Sequence, residues 1–271
     1  MNFENTLNFI RTYGNALDRY RALFILADYR NDVLPLTFLK ALQNDDGGFP
    51  YDMTEGNDSS VFTTSNVLGI LIELRLEETD VTDGVIDFLL NIQKKDGYWD
   101  ESPLIIKYNP PSWLIPGETS TITWLTAEIT RLFILLGYQE TAEIKRAIEY
   151  LKTNITEEGQ LPGFRIATVS AFAALQGIDI LDEKVAKKME NNILSWIEEE
   201  RDPSFLAWYL ECLLQAGFSK EHPIFESTIK RILEKQRRDG SWFTMDGERF
   251  SVAATLNVLK VLRMLNRIET I

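Results

Sequence analysis

One seven-residue pattern recurs along this chain: Gln93-Lys94-Lys95-Asp96-Gly97-Tyr98-Trp99, Gln236-Arg237-Arg238-Asp239-Gly240-Ser241-Trp242, and a third copy, Gln43-Asn44-Asp45-Asp46-Gly47-Gly48-Phe49. Fifty residues separate Gln43 from Gln93, and self-similarity at such a period means a chain built by adding one supersecondary unit to the next. Each copy follows an amphipathic apolar segment, at residues 38–42, 88–92 and 232–235. The pattern therefore marks where a helix stops and the chain turns into the next one. Gly97 and Gly240 supply the positive φ of a tight helix exit, and Asp96 or Asp239 can bond its own backbone in the turn. The terminal aromatic covers the helix end, while the Gln amide can reach orphan carbonyls or amides of adjacent helices. These residues build the fold.

The pattern resembles the Q-x-x-D-G-x-W signature of the terpenoid cyclase and protein prenyltransferase superfamily. The 143 residues from Gln93 to Gln236 leave room for two degenerate units, visible at residues 154–161 and 198–204, so the resemblance spans nearly the whole chain. It implies an all-α (α/α)6 toroid, in which six inner helices form a ring and six outer helices wrap it.

Apolar periodicity gives the same count independently of the resemblance. Segments 3–13, 34–43, 82–93, 142–153, 184–199 and 224–236 are amphipathic and charged on one face, as outer helices are. Segments 16–29, 60–76, 119–136, 166–176, 204–216 and 250–265 are apolar around more of their circumference, the mark of buried inner helices. No strand pattern stands out. With no Pro/Ser/Gly-rich linker and 45% hydrophobic residues, residues 1–271 read as one domain, because repeat folds grow by addition; the resemblance implies that this single domain is a toroid rather than an open helical-repeat solenoid. Only the last few residues read as disordered.

A formal net charge of −13 excludes the basic face that nucleic-acid binding requires and disfavours anionic membranes. The longest apolar run, around residues 132–136, is too short to span a bilayer, and the N-terminus lacks a signal-peptide layout. One cysteine allows no intrachain disulfide. A cytoplasmic protein without nucleic-acid partners is expected, its oligomer open between a homodimer and an unknown partner subunit.

In the predicted topology the Gln-to-aromatic turns lead from outer-helix C-termini to inner-helix N-termini, so they share one end, where positive dipole ends converge. The longest turns, 47–59, 97–118 and 240–249, lie there and make a pocket mouth. The resemblance implies two chemistries. Protein prenyltransferases hold zinc with Asp, Cys and His; here Cys212 falls within an inner helix and His222 in a turn, a spacing that brings no three ligands together, so no metal is expected. Class II cyclases use a D-x-D-D-T acid, a motif this chain lacks. The positional relatives are Glu118, entering the third inner helix, and Asp58, entering the second. Both also read as first-turn or capping acids.

Glu118 follows the apolar run Trp113-Leu114-Ile115-Pro116-Gly117, which would desolvate a carboxyl and raise its pKa, and so ranks first as proton donor. Asp58, Arg165 and Arg249 each stand ten residues before a Leu of the following inner helix, at equivalent ring positions. An acid with two arginines would make an anion-binding and ion-pairing set, or else surface charge. Phe62, Trp113, Trp124, Phe164, Trp208 and Tyr209 map to the mouth, where rings can line an apolar cavity and face a cation. Trp242 reads as core.

The expected function, by resemblance, is handling of an isoprenoid in an aromatic-lined central cavity by a terpene cyclase-like or prenyltransferase-like enzyme. The catalytic candidates are Glu118 and Asp58. The substrate-binding candidates are Trp113, Trp124, Trp208, Tyr209, Phe62, Arg165 and Arg249. No cofactor is expected, with Mg2+ entering only if the substrate is a diphosphate. The alternatives are a non-catalytic lipid- or protein-binding relative and, third, a carbohydrate-active barrel with paired carboxylates.

Overall fold

The computed structural model describes residues 2–268; the disorder expected of the last few residues concerns positions that lie outside this range, apart from those up to 268. Among the described residues the chain forms twelve α-helices: α1 (Phe3–Tyr13), α2 (Ala16–Ala27), α3 (Val33–Leu42), α4 (Val61–Leu74), α5 (Asp80–Ile92), α6 (Thr119–Leu135), α7 (Ala142–Asn154), α8 (Arg165–Gly177), α9 (Glu183–Glu199), α10 (Pro203–Gln215), α11 (Pro223–Glu234) and α12 (Ser251–Met264). The one ladder among the described residues is a two-residue antiparallel pair, β1 (Phe49–Pro50) with β2 (Ser59–Ser60), too short to read from alternation.

Starts are written locally. Asn15 and Asp18 form a reciprocal capping box at α2, Ser60 and Thr79 cap α4 and α5, and Asp202 caps α10 with Pro203 just inside. Side-chain oxygens there satisfy N–H groups that a helix leaves unpaired.

The chain gathers into two compact units, Leu39–Asn192 and Met1–Phe38 with Ile193–Ile271. In the first, α4 packs on α6 and α6 on α8, while α5 and α7 lie against α4 and α6. In the second, α10 packs on α12 and α12 on α2, with α11 against α10 and α1 against both α2 and α12. Within each unit even-numbered helices thus pair with each other, and α1, α5, α7 and α11 lie against them, the alternation the apolar patterning predicts. Ala167 to Leu175 of α8 are buried without exception, as an all-round apolar helix must be.

The recurring turns hold neighbouring odd helices together by the same bonds each time. Gln43 Nε2 donates to Gly47 O at 2.9 Å and to Val81 O in α5 at 3.0 Å. Gln93 Nε2 donates to Gly97 O at 3.1 Å and to Glu143 O in α7 at 2.8 Å. Gln236 Nε2 donates to Gly240 O at 3.0 Å and to Thr6 Oγ1 in α1 at 2.9 Å. Trp99 and Trp242, both wholly buried, donate their indole N–H to Leu89 O and Ile232 O at 2.6 and 2.8 Å. Trp242 is core, as its sequence context implies.

A further element of the turn was not legible beforehand. The backbone N–H groups of Phe49, Trp99, Leu161 and Trp242 donate to the Oγ1 atoms of Thr64, Thr126, Thr168 and Thr255 at 2.8, 2.9, 2.9 and 3.1 Å. Each threonine is buried in the following even helix, so the turn is stitched both to an odd helix and to the even helix it leads into. Leu161 belongs to one of the degenerate units, which keeps this bond after losing the Gln and the Trp. Because buried N–H groups without partners are costly, these bonds fix the turn's position.

Candidate functional site

Four aromatic rings from four segments of the first unit meet where α4, α6 and α8 begin. Phe62 is the second residue of α4, Trp124 lies on the second turn of α6, Trp113 comes from the 3₁₀ turn Ser112–Leu114 and Phe164 precedes α8. Ring centroids are 5.3 Å apart for Phe62–Trp113, 5.4 Å for Phe62–Trp124, 5.7 Å for Trp113–Trp124 and 6.3 Å for Trp124–Phe164. Three of the four contacts are edge-to-face, the arrangement ring quadrupoles prefer. All four rings are half-buried, so the cluster keeps some aromatic surface accessible.

Asp58 sits in the turn before α4, on the edge of this region. Lys107 Nζ lies 2.5 Å from Asp58 Oδ2, Tyr108 donates its hydroxyl to the same oxygen at 2.8 Å, and the Asp58 N–H donates to Tyr108 Oη at 2.9 Å. The Tyr108 ring stacks on Tyr51 at 5.5 Å. The bond from Lys107, then that from Tyr108, hold the Asp58 carboxyl below its usual pKa. Sequence reasoning expected an ionised Asp58 and named Arg165 and Arg249 as its cations; the cation here is Lys107, delivered by the 3₁₀ segment Pro103–Tyr108. Register equivalence between repeats identifies matching positions and says nothing about which side chains meet.

Glu118 occupies the N-cap position of α6 without a side-chain capping bond, and it is exposed, so the desolvation expected from the apolar run before it is not found: Gly117 and Thr119 on either side are exposed as well. Arg165 opens α8 and is exposed. In the other unit, Trp208 and Tyr209 are adjacent on α10 with ring centroids 5.6 Å apart; Tyr209 is 2% exposed and packs in the core. Arg249 lies over the Phe250 ring at 4.5 Å. Cys212 is buried in α10, while His222 caps α11, its Nδ1 accepting the Ile224 N–H at 3.3 Å.

Glu101 was missed. It is 2% exposed and its carboxylate accepts four bonds: from Val61 N and Ser102 N at 2.8 and 2.7 Å on Oε1, and from Ser60 Oγ and Phe62 N at 2.8 and 3.0 Å on Oε2. A carboxylate from the loop before α6 thereby holds the first turn of α4, where a negative group is favoured. Burial still dominates these bonds and pushes its pKa up. A separate groove of about 290 Å³ lies among Lys95, Arg146, Tyr150 and Asn154; none of the predicted site residues lines it.

No model of a known protein family and no curated protein matches this chain. Solved structures do. The type II terpene cyclase MstE from Scytonema, without ligand, is similar over 93% of this chain and 88% of its own, at 16% identity and a TM-score of 0.61. A variant of the same enzyme in complex with geranylgeranyl dihydroxybenzoate, its substrate, gives a TM-score of 0.64 at 14% identity, over 93% and 87%. ent-Copalyl diphosphate synthase from Streptomyces platensis matches over 93% of this chain and 50% of its own, at 13% identity and a TM-score of 0.56. The likeness shows the fold: an all-α chain of the α/α-toroid class shared by the terpenoid cyclase superfamily. Among the described residues no helix is long and apolar enough to cross a membrane.

Proposed function

We propose that this protein binds an isoprenoid against the Phe62–Trp113–Trp124–Phe164 cluster and acts on it as a terpene cyclase-like, proton-initiated enzyme. The observation that carries the reading is the cluster itself, half-buried rings gathered at three helix N-termini in a fold shared with terpene cyclases. Such faces bind hydrocarbon and attract a cation developing within it.

Glu118 is the candidate acid. It lies between Trp113 and Trp124 in sequence, and its carboxyl is not spent on a capping bond. In the proposed step the carboxyl proton passes to an alkene carbon and leaves a carboxylate, and the cation then advances along the chain until a proton is lost to a base or to water. Asp58, held ionised by Lys107 and Tyr108, suits orientation or charge stabilisation better than proton donation.

Product analysis with squalene, farnesyl diphosphate and geranylgeranyl diphosphate tests this, using wild type, Glu118→Gln and Asp58→Asn. Turnover by wild type that collapses in Glu118→Gln supports the assignment, whereas full rate in both variants overturns it. A second reading, a non-catalytic binder of the same fold, is favoured by the exposure of Glu118. Ligand binding with no turnover of any substrate would establish it instead.

A further inference from the structure

Below the ring cluster the same stripe of α6 changes character. Trp124, Glu128 and Arg131 are spaced four and three residues apart, so they lie one above another on one helix face. Arg131 clamps Glu128 with both ends of its guanidinium, Nη2 donating to Oε1 at 2.5 Å and Nε to Oε2 at 3.0 Å. Ser170, buried in α8, donates to Oε2 at 2.6 Å. The other unit repeats this order on α10. Trp208 is followed three residues on by Glu211, whose Oε2 lies 2.6 Å from Lys260 Nζ of α12 and whose Oε1 accepts the Gln215 side-chain amide at 3.2 Å. In both units, aromatic surface near the helix start gives way one turn later to a largely buried ion pair.

We infer that the Glu128–Arg131–Ser170 set is a floor that limits the length of the apolar ligand and is the specificity-determining element of the site. The inference rests on the proposal that an isoprenoid occupies the ring cluster. Hydrocarbon pressed onto a bonded ion pair strips its remaining solvation and offers no hydrogen bond in return, so an apolar chain stops at this layer. From Thr119 at the start of α6 to Glu128 the helix rises about 14 Å. At about 1.2 Å per bond for an extended chain, that depth accepts about a dozen main-chain carbons. A farnesyl chain has that length, and a geranylgeranyl chain is one isoprene unit too long.

Binding of geraniol, farnesol and geranylgeraniol, read by tryptophan fluorescence and calorimetry, tests the floor. In an unobstructed apolar site each added five-carbon isoprene unit tightens binding by up to about a thousandfold. Wild type should show that gain from geraniol to farnesol and none from farnesol to geranylgeraniol. The double variant Glu128→Leu/Arg131→Leu replaces the pair by apolar groups, an exchange that buried ion pairs often tolerate. It should recover at least about a tenfold gain for geranylgeraniol. Ser170→Ala, a smaller change that weakens the same layer, should recover part of it and serves if the double variant does not fold. An undiminished gain for geranylgeraniol in wild type overturns the floor and leaves the binding site standing. Wild-type affinity for none of the three alcohols overturns the binding site, and the floor with it.

Discussion

Glu101 Oε2 accepts the backbone N–H of Phe62 at 3.0 Å, so a carboxylate thirty-nine positions along the chain fixes the helix turn that carries one ring of the aromatic cluster. The same carboxylate takes the Val61 N–H, the Ser60 hydroxyl and the Ser102 N–H. It thus joins the loop bearing Trp113 to the helix bearing Phe62.

Replacing Glu101 by Gln should expose how tightly that joint is made. An amide has one acceptor oxygen where the carboxylate has two, so its NH2 would confront two of the four donors and leave them unpaired. The expected loss is about 1–3 kcal/mol at neutral pH, measured by chemical denaturation. The pH dependence has a definite sign. Burial raises the Glu101 pKa, so the folded state holds this proton in a range where the unfolded chain has released it. Stability from this group is therefore present at lower pH and declines as pH rises from the ordinary carboxylate range through the raised value. Glu101→Gln should remove that decline, and an unchanged slope would show that Glu101 is not its source.

Gly97 offers a test of the recurring turn. Its φ is +90°, and a Cβ there would stand 2.4 Å from the Arg146 backbone oxygen of α7. Gly97→Ala therefore meets both left-handed strain and a clash with main chain that cannot swing aside. A loss of about 1–3 kcal/mol is expected from the strain alone, with the clash adding to it. Gly56→Ala, at φ +84° with nothing within 4 Å of the added carbon, isolates the strain. Equal losses at the two sites would remove the close approach to α7 from the account.

What could be read from the sequence was what repeats locally. Helix ends were legible because Gly97 and Gly240 sit just past amphipathic runs. The even and odd helices were distinguishable because charge appears on one face of α7 or α11 and hardly at all on α8. The grouping of Phe62, Trp113 and Trp124 followed from placing all three at one end of the helices, Trp113 in the long turn before the third inner helix and the other two in first turns. Interactions between distant segments were not legible. Thr64, Thr126, Thr168 and Thr255 look like any β-branched residue of a buried helix, and their bonds to the preceding turns appear only once the segments are packed. Asp100-Glu101 reads as loop charge because the N–H groups it could serve lie some forty residues earlier. Lys107 went unnoticed for the same reason, standing forty-nine positions beyond the Asp58 to which it brings a cation.

Asp58→Asn should loosen the clasp between the turn before α4 and the segment Pro103–Tyr108. Lys107 and Tyr108 lower the Asp58 pKa, so the charged clasp persists down through the ordinary carboxylate range and is lost as pH falls through that lowered value. Limited proteolysis within residues 103–108 should accordingly stay slow in wild type at neutral and mildly acidic pH and accelerate only in stronger acid. In Asp58→Asn it should be faster already at neutral pH, and raised salt should narrow the difference because the pair is solvent-exposed. Identical cleavage rates in the two proteins at all pH values would mean that the Tyr51–Tyr108 stack holds the segment without help from the charge.

The last test concerns how the two ends of the chain are joined. Thr6 Oγ1 donates to Gly240 O at 2.8 Å and accepts from Gln236 Nε2 at 2.9 Å; alongside it, the Asn2 N–H donates to Gln236 Oε1 at 2.9 Å and Asn5 Nδ2 to Arg238 O at 2.9 Å. Thr6 is wholly buried, so Thr6→Val keeps the shape while leaving the Gly240 carbonyl and the Gln236 amide short of a partner. A loss of about 1–3 kcal/mol is expected. Gln236→Leu should cost a similar amount, and because both changes remove the same bond, the double variant should fall short of the sum by about 0.5–3 kcal/mol. Gln93 makes the matching contact between α5 and α7 through a backbone carbonyl, at Glu143. Gln93→Leu combined with Thr6→Val should therefore add with no coupling beyond about 0.5 kcal/mol. Additivity in the first pair, or strong coupling in the second, would show that Gln236 does not hold the N-terminal helix to the C-terminal turn through Thr6.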